Sequence, residues 1–221
     1  MHNGTYVVDF PAKFPSPGWK LFCFAAFLLG SLTLYSQVTP QWVARENGPG
    51  IFNDYGKVVA YDAAGNVYVA GYTLASTSDY LTIKYNSAGV KQWEARYNGT
   101  GNSSDQASGI AVDASGTYVY VTGYAYNTGS QYDYVTIKYD AATGNKIWAM
   151  PYNGLGNSTD QATAIAIDSY GNIVVTGFSY SGTTTGNDYA TAKYDPLGTL
   201  LWGISYSGIG TAVNDQAKAI G

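Results

Sequence analysis

Short apolar runs, separated by turns rich in Gly, Asp and Asn, follow one another along the chain after residue 36. Between Asp133 and Tyr139, apolar and polar residues alternate with the two-residue period of a β-strand. The 3.6-residue period of an amphipathic helix is missing from this part of the chain. The pattern therefore predicts an all-β protein made of many short strands.

These runs occur in groups of four. In the stretch 105–159 the predicted strands A to D cover 107–112, 118–124, 133–139 and 146–152. Short Asp/Gly-containing turns separate A from B and C from D, whereas a longer polar loop separates B from C. Four antiparallel strands with such turns are typical of one blade of a β-propeller.

The four-strand group is repeated. The sequence Asp-Gln-Ala begins at Asp105, Asp160 and Asp215, and Lys-Tyr pairs and strand-D tryptophans keep nearly the same spacing, with the tryptophans at Trp42, Trp93, Trp148 and Trp202. A period of about 54 residues in several independent positions predicts a repeat architecture. We expect units at 54–104, 105–159 and 160–214, a lone outer strand at 37–53, and the start of a truncated fourth unit at 215–221. The predicted fold is a β-propeller present as an incomplete segment of about 3.5 blades, since closed propellers have about four to eight.

Three phrases carry a family resemblance. The stretch from Asp62 to Tyr72, the stretch from Asp133 to Asp140, and the Gly and Trp that follow resemble the SBBP family of bacterial seven-bladed β-propeller repeats over roughly residues 41–221. The resemblance implies a propeller fold and an extracytoplasmic setting. It implies no catalytic residues.

The N-terminus has the pattern of an export signal. Lys13 and Lys20 precede an apolar run from Leu21 to Leu34, and Ser36 offers a small residue for cleavage. The run is short for a membrane span, which favours a cleaved signal peptide at 1–36 over a retained signal anchor. The segment before Trp19 is long for such a signal, so the true start of translation is open. We expect a secreted or cell-surface bacterial protein without stable membrane insertion.

The composition of the chain limits the ligands it could bind and the reactions it could catalyse. The net charge of −4 provides no basic surface for nucleic acid. Cleavage after residue 36 would remove His2 and Cys23, leaving a chain without histidine or cysteine and hence without a thiolate nucleophile or the best zinc ligands. The sequence therefore predicts no enzyme activity, no cofactor, and no catalytic or metal-binding residues. A propeller enzyme, either glycan lyase- or hydrolase-like or quinoprotein-like, with its active site in further blades, is the alternative. A structural spacer in a larger surface protein is another.

Recurrent residues have two interpretations each. The Asp-x-x-Gly turns at 62–65, 113–116, 168–171 and 195–198 suggest calcium ligands, but turn chemistry explains them more simply. A ring of carboxylates in a central channel would use Asp105, Asp160 and Asp215, whereas the favoured interpretation is that they cap backbone groups where strand A begins. Packing is favoured over ligand stacking for Tyr97, Tyr152 and Tyr206. We expect apolar packing or ion pairs with a repeated Asp for Lys84, Lys138 and Lys193.

One stretch resembles a second known motif. Asp140 to Trp148 is similar to the tryptophan-docking motif of pyrroloquinoline-quinone dehydrogenase propellers, in which a turn and a Trp lock adjacent blades. The corresponding stretches Asn86–Trp93 and Asp195–Trp202 depart from it. Because the motif is architectural, it does not locate a quinone.

The predicted loops suggest where a ligand binds. The B–C loops, placed at 73–78, 125–132 and 179–187, differ in length and sequence and lie on the same side as the Asn/Gly/Ser-rich D–A loops. Recognition residues are concentrated on loops held by a rigid scaffold. We expect this side to bind an unidentified protein or glycan, and the unpaired edges of an incomplete propeller to favour self-association.

Overall fold

A computed structural model describes residues 41–46, 53–154, 156–182, 186–208 and 214–220. Twelve strands form three four-stranded antiparallel sheets, each with its strands in chain order. Sheet 1 consists of β1 (Asp54–Tyr61), β2 (Val67–Leu74), β3 (Ser78–Tyr85) and β4 (Lys91–Tyr97). Sheet 2 consists of β5 (Gln106–Val112), β6 (Tyr118–Asn127), β7 (Gln131–Asp140) and β8 (Lys146–Tyr152), and sheet 3 of β9 (Asp160–Ile167), β10 (Ile173–Gly182), β11 (Gly186–Tyr194) and β12 (Leu200–Tyr206).

The prediction of an all-β chain is confirmed for the described residues, which contain no helix. Each sheet falls within one of the predicted repeat units, and the arrangement is consistent with a β-propeller-like fold. The predicted signal peptide at 1–36 lies outside the described residues. In the described part of the chain, no helix has the length and apolarity to cross a membrane.

Burial differs between the sheets because they pack face to face. In sheet 2, β7 is buried along both of its faces, so even Thr136 and Lys138 are shielded from water. The Thr136 hydroxyl lies 3.1 Å from that of Thr122 on β6, which satisfies polar atoms between the strands. β12 of sheet 3 has the same strand position as β8 but is mostly exposed. In sheet 2, the polar residues of the alternating sequence pattern therefore lie on a second face that is also buried.

The apolar core lies between successive sheets. One cluster joins Tyr80 and Trp93 of sheet 1 to Val121 and Ile137 of sheet 2. A second cluster joins Tyr134 of sheet 2 to six buried residues of sheet 3, namely Ala162, Ile173, Val175, Ala190, Ala192 and Tyr194. Each unit thus completes its core with side chains from its neighbours.

The predicted variation in B–C loop length is wrong. Pairing continues to Leu74–Ser78, Asn127–Gln131 and Gly182–Gly186. Three residues, 75–77 and 128–130, connect the strands of the first two hairpins, and the connection at 183–185 in the third lies outside the described residues. The extra residues of the second and third units lengthen the strands instead. In sheet 2, edge-to-face contacts of Tyr132 with Tyr124 and Tyr126 stabilise this extension.

The lone outer strand predicted at 37–53 is described only at 41–46 and 53, where the backbone has no strand assignment. Trp42 nevertheless lies against the β3–β4 turn, with its ring carbons 2.6 Å from the place of a Cβ on Gly89. Trp42 and Ala44 pack on Leu81, Ile83 and Tyr85 of sheet 1. The segment therefore contacts sheet 1 as the fourth strand of one sheet contacts the next.

Tryptophan docking is repeated at each contact. The ring of Trp93 covers Gly144 and that of Trp148 covers Gly198, although only the first of these turns resembles the docking motif in sequence. At the first contact, the carbonyl of Ala141 accepts hydrogen bonds from Trp93 Nε1 at 3.1 Å and Lys84 Nζ at 2.8 Å. The carbonyl of Pro196 accepts from the equivalent Trp148 and Lys138 at 3.4 and 2.8 Å. One turn carbonyl thus anchors two side chains of the preceding sheet.

Replacing Gly144 with Ala tests the docking contact. Gly144 and Gly116 both have positive φ, of 76° and 69°, so alanine strains the backbone in either turn. A Cβ at position 144 would lie 2.7 Å from the Trp93 ring, whereas the nearest atom to one at position 116 is 3.6 Å away. We expect Gly144→Ala to lower the free energy of unfolding by roughly 1–3 kcal/mol more than Gly116→Ala, as measured by urea denaturation. Equal losses would mean that the Trp93 contact contributes no constraint.

Candidate binding face

The β2–β3, β6–β7 and β10–β11 hairpins lie on the same side as the loops that join successive sheets, because strand directions alternate. We call this side the loop face. Its described residues are 75–77, 98–105, 128–130, 153–154, 156–159, 207–208 and 214. The described turns within 62–66, 113–117, 140–145, 168–172 and 195–199 lie on the opposite side, the turn face.

Asp105 fixes the loop between sheets 1 and 2. Its side chain is fully buried, and its two oxygens accept the backbone N–H groups of Gly99, at 2.5 Å, and Tyr126, at 2.7 Å. Its own N–H donates to the carbonyl of Ser78 in sheet 1 at 2.6 Å. The carboxylate therefore joins the loop to the β6–β7 hairpin, which confirms the capping interpretation.

The same cap recurs in the next loops. Asp160 accepts the N–H groups of Gly154 and Tyr180 at 2.7 and 3.1 Å, and Asp215 accepts that of Gly208 at 2.8 Å. Two cavities beside the first strands of the sheets are lined by other residues, among them Gln106, Ile110 and Ile165, and by neither Asp105 nor Asp160. The described geometry thus assigns the repeated carboxylates to loop anchoring.

Burial and hydrogen bonding act in opposite directions on the pKa of these carboxylates. Desolvation raises the pKa of Asp105 and of Asp160, and the hydrogen bonds from backbone N–H groups oppose that rise. Asp133, in the same hairpin region, also has its pKa raised by burial, against hydrogen bonds from Ser130 and Asn127. The acidic groups beneath the loop face are therefore held by donors from their own loops and hairpins.

Direct contacts join the β6–β7 hairpin to the preceding loop. Thr100 Oγ1 donates to Asn127 Oδ1 at 3.2 Å and accepts the Thr128 N–H at 3.2 Å. Asn98 and Asn102 bond each other across the loop at 2.7 Å, and Asn153 and Asn157 repeat this contact at 2.6 Å in the next loop. The loop face thus presents ordered amides and hydroxyls.

Tyrosine rings accompany these polar groups. Tyr124, Tyr126 and Tyr132 form a half-buried group on the β6–β7 hairpin, and Tyr55 stacks on Tyr72 near the end of β2 with ring centres 4.8 Å apart. Aromatic rings and amides together can bind ligands that carry both apolar faces and hydroxyl or peptide groups. The sequence reveals these tyrosines, but their grouping depends on the hairpin extension that it did not predict.

On the turn face, the Asp-x-x-Gly residues close their own turns. Asp62 Oδ1 accepts the N–H groups of Ala64 and Asn66, and Asp195 Oδ1 accepts those of Leu197 and Thr199. Asn86 makes the same two bonds in sheet 1, so a neutral amide suffices there. Within the described part of the chain, no three Asp, Glu, His or Cys side chains are grouped as a metal ion would require.

The repeated lysines differ in their partners. Lys193 forms an ion pair with Asp168 at 2.8 Å, as one of the predicted alternatives requires, and this pairing contributes most to a pKa of Asp168 well below its usual value. Lys84 and Lys138 instead donate to turn carbonyls of the next sheet, and Lys138 lies 3.7 Å from the centre of the Tyr118 ring. Tyr97 and Tyr152 pack within the core clusters as expected, whereas Tyr206 is exposed.

Comparisons with known proteins give little guidance. No protein-family model and no curated protein match the chain, so membership of the SBBP repeats stays a prediction. Among solved structures, one described as the crystal structure of the eukaryotic initiation factor is similar with a TM-score of 0.43 and 10% identity. The match covers 67% of this chain, which spans 31% of that one.

An Asp-to-Asn pair tests the loop anchor. Asp105→Asn leaves one backbone N–H of the buried site without an acceptor, so we expect a loss of about 1–3 kcal/mol in the free energy of unfolding. Asp195→Asn should cost less than about 0.5 kcal/mol, because only one of its oxygens accepts the turn N–H groups and Asn86 already makes those bonds. Thermal and urea denaturation of both variants compare the costs. A tolerated Asp105→Asn would contradict the anchoring role.

Proposed function

We propose that the chain is an exported β-propeller repeat module that binds a ligand through its loop face. The observation that carries the proposal is the anchoring of each described loop by a buried carboxylate, Asp105 or Asp160, beneath hairpins that present tyrosines and amides. A surface held in one conformation loses less entropy on binding than a mobile one. The loop face is therefore suited to recognition.

The propeller assignment is supported by the repeated packing. Three four-stranded sheets follow one another with the same tryptophan, lysine and tyrosine contacts, and Ser108 Oγ and Thr163 Oγ1 donate to the carbonyls of Ala162 and Ala217 in the following unit at 2.5 and 2.8 Å. When each sheet packs on the one before it in the same way, the sheets form a regular array in which all the hairpins lie on one side. The resemblance to SBBP repeats supports the same proposal, as does the export signal predicted at 1–36.

Binding is favoured over catalysis by how the polar groups are used. Asp105 and Asp160 are occupied by backbone N–H groups, and Asp133 accepts from Asn127 and Ser130. A general acid or base must instead reach a substrate proton. The half-buried tyrosine rings and the amides beside them fit a glycan or a polypeptide segment as the ligand.

Tyr132→Ala tests the role of the loop face. The wild-type protein would first be screened on arrays of immobilised glycans and of peptides, and the affinity of each ligand found would be measured by titration calorimetry. We expect Tyr132→Ala to weaken binding about tenfold, because it removes the ring that holds the tyrosine group together. Tyr170→Ala is the matched control, since Tyr170 is 86% exposed on the turn face.

Shortening the hairpin between Ser179 and Asn187 provides a second measurement on the same face. Unchanged affinity in both loop-face variants, or a loss of affinity in Tyr170→Ala alone, would overturn the proposed location of the ligand. Circular dichroism and the unfolding midpoint would show whether each variant keeps the fold.

A further inference from the structure

Two loops of the loop face begin with the dipeptide Asn-Gly, at Asn98–Gly99 and at Asn153–Gly154. In this dipeptide the backbone nitrogen of glycine can attack the side-chain amide carbon of asparagine, since no Cβ on the glycine stands in the way. A C–N bond forms, the Cγ–Nδ2 bond breaks, and the side-chain nitrogen leaves as ammonia, with the glycine N–H proton passing to it through solvent. Water then opens the resulting succinimide ring to aspartate or isoaspartate. The net reaction consumes one water and releases one ammonia.

Glycine at these two positions is required by the packing of the loops. A Cβ on Gly99 would lie 2.5 Å from the carbonyl oxygen of Tyr126 in β6, and one on Gly154 would collide with Ser179 Oγ in β10. Each loop therefore lies so close to a hairpin strand of the next sheet that no larger residue fits. The reactive dipeptide follows from this contact wherever an asparagine precedes the glycine.

In the folded chain, a carboxylate holds the nitrogen that would attack. The N–H of Gly99 donates to Asp105 Oδ2 at 2.5 Å, and that of Gly154 donates to Asp160 Oδ2 at 2.7 Å. Both carboxylates are fully buried. The glycine nitrogen must lose its proton to attack, and a neighbouring negative charge disfavours the amide anion that this produces. The cap therefore opposes the first step of the reaction in both loops.

The leaving amide is held in the same loops. Asn98 Nδ2 donates to Asn102 Oδ1 at 2.7 Å, and Asn153 Nδ2 donates to Asn157 Oδ1 at 2.6 Å. The accepting residues have φ values of 51° and 44°, a left-handed conformation that asparagine tolerates better than most residues. Ring closure consumes the glycine N–H and the asparagine Nδ2, so both hydrogen bonds of each loop are lost when the succinimide forms.

The third loop has the cap without the reactive amide. There Ser207 takes the place of the asparagine, and the N–H of Gly208 donates to Asp215 Oδ2 at 2.8 Å. The capped glycine is thus common to the three described loops, whereas the Asn-Gly dipeptide occurs in two of them. Serine before the glycine is therefore compatible with the cap, which makes Asn98→Ser a conservative control.

We propose that Asn98 and Asn153 are deamidation sites that the folded chain keeps unreacted, because Asp105 and Asp160 hold the glycine N–H groups. Only molecules in which the cap has opened react, so the rate is proportional to the open fraction. Deamidation places a new carboxylate at the edge of the loop face, and the isoaspartate product also lengthens the backbone by one methylene. At Asn98 it removes the donor of the bond to Asn102. The reaction depends on the loops alone and requires no ligand on the loop face.

Removing one cap at a time tests the proposal inside a single molecule. The full chain is kept in mildly alkaline buffer below its unfolding midpoint and digested at acidic pH, and the Asp and isoAsp formed at each asparagine are measured by chromatography and mass spectrometry. We expect Asp105→Ala to raise the rate at Asn98 at least about fivefold and to leave Asn153 unchanged, and Asp160→Ala to do the reverse. Asn98→Ser should abolish the product at that position alone.

Each site is the control for the other, because a loss of global stability would speed the reaction at both. Equal acceleration at the two sites in a variant with native circular dichroism would overturn the proposal. An unchanged or lower rate at the uncapped site would do so too, since the carboxylate would then give no protection.

Hydrogen exchange of the wild-type chain provides a test that needs no variant. Opening of the cap precedes both exchange of the glycine N–H and its attack on the asparagine. After division by the rates of the urea-unfolded chain, the deamidation rates at Asn98 and Asn153 should therefore rank as the exchange rates of Gly99 and Gly154 do. A reversed ranking would contradict the role of the cap. So would deamidation of Asn98 as fast in the folded chain as in urea while the Gly99 N–H stays protected from exchange.

Discussion

The constraint on which the structure depends is that no sheet can bury its own faces. Sheet 2 is buried on both sides only because Trp93 and Tyr80 of sheet 1 cover one face and Ala162 and Ile173 of sheet 3 cover the other. Hydrophobic burial scales with the apolar area removed from water, so most of this stabilisation is produced between units. Stability then depends on nearest-neighbour contacts, as in other repeat proteins.

Polar groups fix the geometry of those contacts. The carbonyl of Ala141 accepts from Lys84 and Trp93, so a lateral shift of sheet 1 would leave a half-buried ammonium and a buried indole N–H without acceptors. Unsatisfied buried donors are costly, whereas apolar contacts alone tolerate sliding. The same step between successive sheets places Asp105 and Asp160 beneath equivalent loops. The regularity of the loop face thus follows from bonds made on the opposite side of the molecule.

Much of the fold was predictable from the sequence because the same four-strand unit occurs several times, so each strand and turn could be recognised in more than one copy. The strand predicted at 146–152 agrees with β8 at both ends. The hairpins were not predicted correctly, because Asn127 and Gln131 are typical of loops, and their pairing depends on Tyr126–Tyr132 contacts that no local pattern reveals. The cap at Asp105 was predictable in kind, but its bond to Tyr126 was not, since Asp105 lies in the loop before β5 and Tyr126 lies near the end of β6, 21 residues later.

Because the sheets are repeats, the same residue position can be compared between a sheet face that is covered and one that is exposed. Tyr80, Tyr134 and Tyr189 hold the same position in their sheets, yet the first two are fully buried and the third is 38% exposed, because within the described residues a following sheet covers only the first two. Sequence comparison of the three units cannot detect this difference, since burial is decided by the neighbour and not by the unit itself. The structure provides this information, because it shows which sheet faces are covered by a neighbouring sheet. The exposure of a repeated position therefore has to be judged from its neighbours and not from its own unit.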